Sequence, residues 1–133
     1  MAHWILKTEP STYSFDRLAA EKTAVWDGVT NPVALKHIRS MQKGDEVGIY
    51  HTGDEKAVVG LATVASVPHA DPKNAKLTVV DLKAGRRLPR AVILAAIREE
   101  AVFADMALVR MPRLSVVPAT EAQWKKLMQM AGV

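Results

Sequence analysis

The segment Trp26-Asp27-Gly28-Val29-Thr30-Asn31 gathers residue types that could receive a flat ligand. Tryptophan offers a broad aromatic face, and a glycine two positions later lets the backbone turn sharply beside it. Asn31 precedes Pro32, the pairing that opens a helix. Its amide and the free backbone N–H groups there could read a polar edge. A second reading fits the same residues: Trp26 plugs one end of the core and Asn31 only caps its helix. Tyr50-His51-Thr52 forms another polar group, placed where a strand leaves the apolar run Val47-Gly48-Ile49. Strand alternation puts Tyr50 and Thr52 on one face and His51 on the other. Lys7-Thr8-Glu9-Pro10 ends the first strand in the same manner, and Ser14 stands where a helix-capping residue belongs. These strand ends, the serine and the aromatic loop could converge on one pocket. Arg110 and Arg113, with Arg86, Arg87 and Arg90, carry guanidinium groups suited to phosphate. Solvated arginines on edge strands account for them equally well.

Catalytic signatures are mostly excluded. The chain has no glycine-rich dinucleotide or phosphate loop and no Gly-x-Ser-x-Gly elbow. With no cysteine, thiol catalysis, disulfides and cysteine-based metal sites are all removed. His3, His37, His51 and His69 never fall at metal-ligand spacing, so neither a metal nor any other cofactor is expected. A spatial triad such as Ser14, His51 and Asp27 is the one hydrolytic arrangement left open, because triads are defined by geometry.

The elements that must position these groups follow from composition and pattern. At 133 residues, 49% hydrophobic and 24% charged, the chain fits one globular domain spanning 1–133. Its longest apolar run, Ala91 to Ile97, is far below the ~20 residues that span a bilayer. The N-terminus has no secretion-signal pattern, and the cytoplasm is the expected compartment. The net charge of +4 is unevenly placed: residues 1–66 carry −1 and residues 67–133 carry +5. Such a basic half is compatible with a polyanionic partner.

His3 to Thr8 reads as a strand, and a short helix opens after Ser14. Thr23 to Gly28 reads as a loop. A helix begins at Pro32 and carries Leu35, Ile38 and Met41 on one apolar face. Residues 46–52 and 57–67 form a hairpin around Gly53-Asp54-Glu55-Lys56. Leu77 to Leu82 is a strand after a breaker at residues 68–72. The pattern then predicts a helix over Ala91–Glu100 and short strands at Leu108–Met111 and Leu114–Val117. The capping-box pair Thr120 and Gln123 opens a last helix that ends at Gly132. Five or six strands with three or four peripheral helices, without regular alternation, point to an α+β fold. Its sheet is a small curved one or a partly open β-barrel.

Trp4-Ile5-Leu6-Lys7-Thr8-Glu9-Pro10, Tyr13-Ser14-Phe15, Trp26-Asp27-Gly28-Val29-x-Asn31 and Tyr50-His51-Thr52 together resemble the EVE domain of the thymocyte nuclear protein 1 family. The ending Arg110-x-x-Arg113-Leu114-Ser115-Val116-x-Pro118 resembles it too, so the likeness covers nearly the whole chain. It implies a PUA-like fold, related to YTH, ASCH and SRA domains, and a reader of modified bases, with modified cytosine in DNA foremost. Lys7, Thr8 and Trp26 are similar in place to the strand start and cage tryptophan of YTH domains. The sequence departs from the family at Thr30 and Leu35, where members often carry arginine, and at Lys36, where they carry asparagine.

The expected activity is therefore non-enzymatic: a monomeric module, off the membrane, that accepts a flipped or single-stranded modified base of DNA or RNA. Trp26 supplies the stacking wall with Val29 beside it. Asn31, Ser14 and Thr52 supply polar contacts, Lys7, Thr8, Tyr50 and His51 complete the pocket, and Arg110 pairs with phosphate. The alternatives are a small hydrolase or a small-molecule-binding module using the same pocket.

Overall fold

A computed structural model describes residues 2–133. Strand β1 (His3–Thr8) is followed by α1 (Phe15–Glu21), β2 (Thr23–Trp26), α2 (Pro32–Ser40), β3 (Glu46–His51) and β4 (Ala57–Val64). Then come β5 (His69–Asp71), the long β6 (Asn74–Ile93), α3 (Leu94–Arg98), α4 (Ala107–Arg110), β7 (Val116–Ala119) and α5 (Glu121–Ala131). A single 3-10 turn at Ala101–Phe103 separates α3 from α4.

Six strands run in the order β2-β6-β4-β3-β1-β7, and β5 pairs with β6 outside that path. The β3–β4 hairpin is central, as its alternating pattern predicts, and all pairings but β1 with β3 are antiparallel. The sheet does not close: β2 and β7 remain its two edges. Pro118 sits in β7, where a strand can lack a donor on its free side.

Local capping works as the residue types require. Ser14 Oγ accepts from Arg17 N–H at 3.1 Å, and Asn31 Oδ1 accepts from Val33 and Ala34 N–H at 2.9 and 3.1 Å. Thr120 and Gln123 form a complete capping box. Leu35, Ile38 and Met41 are buried together in the core. Gly60 is there because nothing larger fits: a Cβ would lie 2.4 Å from the Phe15 ring. That contact locks the start of α1 onto β4.

Five expectations need correction. Thr23 to Trp26 is a strand, not a loop, because its backbone pairs with Lys83 to Val80 of β6. His69 to Asp71, expected as a breaker, pairs as a short edge strand with the same β6. The helix expected from Ala91 begins at Leu94, because β6 continues past Pro89. The β4 ladder steps from Gly60–Arg87 to Val58–Val92, and Pro89 lies in that bulge, where it need not donate. Residues 108–110 are helical, since a short apolar run before proline carries no clear period. The following strand starts two residues later than expected, at Val116.

Candidate functional site

The end of β2 and the turn after it form one wall of a cavity of about 560 Å³. Trp26, Asp27, Gly28 and Val29 stand on this side, and Gly28 takes φ +79°, a left-handed conformation natural to glycine. Lys7 and Thr8, at the end of β1, and Ser115, just before β7, stand on the other. The cavity therefore occupies the seam where the two edges of the open sheet approach without pairing. Tyr13, just before α1, and Arg17, in its first turn, complete the rim.

Two aromatic rings define the interior. Tyr13 meets Trp26 edge-on, with centroids 6.0 Å apart and planes at 82°. The Arg17 guanidinium lies 5.2 Å over the Tyr13 ring. The Tyr13 hydroxyl donates to Glu21 Oε1 at 2.6 Å. Burial, then that hydrogen bond and the charge of Glu21, push the Tyr13 phenol up to about 12. The same bond holds the Glu21 carboxyl below its usual range. Thr8 Oγ1 donates to the Tyr13 carbonyl at 2.7 Å, which fixes Tyr13 against the end of β1.

Trp26 is both core and wall. Only 7% of it is exposed, so most of the indole packs inward and a limited face reaches the cavity. The core reading describes most of the indole, and its remaining face borders the cavity.

Of the ten expected site residues, Lys7, Thr8, Trp26 and Val29 line this cavity. Ser14 and Asn31 do not; their side-chain oxygens are spent on helix capping, and Asn31 faces a separate shallow groove with Arg113. Tyr50 and Thr52 open into a second cavity on the other side of Lys7. His51 is buried. Its Nε2 accepts from Phe15 N–H at 2.9 Å, which leaves Nδ1 as the donor to Glu55 Oε1 at 2.6 Å. Both ring nitrogens are thus engaged, and the Ser14–His51–Asp27 arrangement is not assembled. Arg110 turns away from the Trp26 cavity: its Nε donates to the Ala104 carbonyl at 3.0 Å, and its guanidinium lies 4.0 Å from Asp105. Arg87 pairs with Asp16 at 2.8 Å.

Tyr13, Arg17 and Ser115 are lining residues the sequence reading did not assign, and Asp27 entered it as a triad candidate only. Tyr13 sits within the Tyr-Ser-Phe motif, one residue before the cap that drew attention to it. Ser115 carries no local signal, because only the seam brings it there. Among the described residues no group of His, Asp or Glu side chains comes together to hold a metal ion. Among the described residues no helix is long and apolar enough to cross a membrane.

The family description that matches this sequence is the EVE domain, over residues 2–130. The chain belongs to the EVE domain family. Human thymocyte nuclear protein 1 is 27% identical to this EVE domain over 92% of the chain and 71% of that protein. Among solved structures, one from Rhodopseudomonas palustris is 39% identical with a TM-score of 0.94, covering 99% of this chain and 94% of that one. Human thymocyte nuclear protein 1 in complex with 5-methylcytosine-containing DNA shares the fold at TM-score 0.91 and 23% identity, over 100% and 99% of the two chains. The fold of this EVE domain is thus the α+β, PUA-like one expected, with the seven-stranded sheet left open.

Proposed function

We propose that the protein is a non-enzymatic nucleic-acid-binding module that takes a modified base, modified cytosine in DNA foremost, into the Trp26 cavity. The observation that carries this reading is the pairing of Trp26 with Tyr13 in an open seam of about 560 Å³. That volume lies within the range of small-molecule pockets. Stacking on such a wall contributes ~1–3 kcal/mol per base in single-strand binders. The polar contacts fall to residues of the seam rather than to the helix caps. Asp27 offers an acceptor for an exocyclic amino group, as carboxylates do for cytosine. Ser115 offers a donor for a carbonyl edge. A human relative solved with 5-methylcytosine-containing DNA supports the nucleic-acid part of the reading. The protein acts as a monomer in the cytoplasm and needs no cofactor.

Binding to matched oligonucleotides with and without modified cytosine, at one stated salt concentration, tests the proposal. Modified strands are expected to bind about tenfold more tightly, equivalent to ~1.4 kcal/mol. Equal affinity for both strands, or no binding to either, overturns it.

A further inference from the structure

The second cavity, about 540 Å³, lies across Lys7 from the first and is lined by Tyr50, Thr52, Lys56 and Arg98. Lys7 borders both. Its ammonium donates to the Pro112 carbonyl at 2.8 Å and lies 5.6 Å over the Tyr50 ring. Among the described residues, neither it nor Lys56 nor Arg98 forms an ion pair. Most cations of the chain are likewise unpaired, Arg17, Arg87, Arg110 and Lys126 being those that find a carboxylate among the described residues, so what sets these three apart is that they border one concavity. The one carboxylate lining this cavity, Glu55, is held by His51 Nδ1 at 2.6 Å.

The backbone is committed to this arrangement. Lys56 takes φ +46°, a left-handed conformation that costs a lysine free energy. Its carbonyl accepts from Leu94 N–H at 2.8 Å, tying the β3–β4 turn to the first residue of α3. The same helix ends in Arg98. The tie therefore sets the spacing between Lys56 and Arg98 across the cavity. The Tyr50 phenol is pushed up by burial and drawn partly back by the charge of Arg98, so it keeps its proton and stays a donor at neutral pH. Three cations gathered in one concavity repel one another, and an anion bound among them would relieve that repulsion.

We infer that this second cavity is a phosphate-binding site, in which Arg98, Lys56 and Lys7 hold the anion and the Tyr50 hydroxyl donates to one of its oxygens, while the Thr52 hydroxyl stays on Glu9 at 3.1 Å. A guanidinium fork and an ammonium on opposite sides suit a tetrahedral oxyanion. The site does not depend on the base reading. The phosphate could belong to a nucleic-acid strand or to a free phosphorylated small molecule, and the chemistry of recognition is shared.

The test is an NMR titration of the full chain with inorganic phosphate at constant ionic strength, with chloride as the control. Saturable shifts are expected at the Tyr50 ring and the Arg98 side chain, with the Trp26 indole unmoved. Arg98→Gln, and separately Lys56→Gln, should weaken phosphate binding about tenfold while the melting temperature is kept. Short single-stranded DNA with native or methylphosphonate linkages then identifies the source. Displacement of phosphate by the native strand alone assigns a strand phosphate. Binding of a nucleoside monophosphate without displacement by either strand assigns a free small molecule. No saturable shift beyond chloride, or unchanged binding in both variants, overturns the site. Trp26→Phe separates the two proposals: lost base discrimination with phosphate binding intact is a failure of neither site but a property of the first alone.

Discussion

Two tyrosines stand on either side of Lys7, each with a cation over its ring, and the chain uses them in opposite ways. Tyr13 in the first cavity spends its hydroxyl on Glu21, at 2.6 Å, and its cation Arg17 pairs with the same carboxylate at 3.4 Å. The polar demands of Tyr13 and Arg17 are met internally, so what they leave for a ligand is aromatic surface beside the Asp27 carboxylate and the Ser115 hydroxyl. Tyr50 in the second cavity faces Lys7 and Arg98 with no carboxylate free to answer them. A site whose cation is already paired selects by shape, stacking and a few polar contacts. A site whose charges are left over selects by charge.

The largest expected effect is on the first cavity's aromatic wall. Because Trp26 is almost wholly buried, Trp26→Ala should cost ~3–5 kcal/mol of stability, read from urea unfolding. Its binding defect would then be confounded with unfolding. Trp26→Phe keeps an apolar ring in the core and is the sharper probe. Base discrimination should fall in Trp26→Phe while phosphate still shifts Tyr50, and loss of both together would merge the two cavities into one site.

Gly60→Ala should come next. The new methyl meets the Phe15 ring, so the start of α1 must shift, and overpacking of this kind costs ~1–3 kcal/mol. The shift displaces Tyr13 and loosens the Phe15 N–H to His51 bond, both two residues or fewer from the clash. The Lys56–Leu94 tie lies outside that contact and should hold. Thermal melts with the Tyr13 and Tyr50 ring resonances as reporters check this: Tyr13 is expected to move and Tyr50 to stay.

The first cavity was only half legible in the sequence, and the reason is topological. Caps and periods are local, so Ser14, Asn31, the α2 face and the capping box at Thr120 could be read directly. The same locality misassigned two of those residues, because a polar side chain beside an aromatic loop looks available until its backbone partner is known. The seam is non-local. Ser115 and Trp26 line one cavity because β2 and β7 are the free edges of one open sheet, and no spacing encodes that. Residues 23–26 and 69–71 were misread for the same cause: each is a strand only by virtue of β6, which carries their partners. Arg98 carries no local signal, because its place in the second cavity comes from the tie between Lys56 and Leu94 across space.

The smallest effect, and the most specific to the comparison, is on titration. Tyr13→Phe removes the donor that lowers the Glu21 carboxyl, so the Glu21 midpoint should rise toward 4.5, followed by its side-chain carboxyl resonance. Arg17 still faces Glu21 and keeps the midpoint from returning fully. Linkage gives the sign at both ends. Glu21 has a depressed folded value, so the pair stabilises the native state above pH 4.5, and that contribution is lost as pH falls through the folded midpoint. Tyr13 has a raised folded value, so the contribution is complete below pH 10 and is lost as pH rises toward about 12. The stability gap between wild type and Tyr13→Phe should therefore be widest on the plateau between those limits and narrow on either side. Tyr50 supplies the internal control, since its phenol is raised by burial and not by a carboxylate. Tyr50→Phe should leave the Glu21 midpoint where it is. Movement of Glu21 in both variants would mean the two tyrosines share one electrostatic environment, and the contrast between the cavities would be lost.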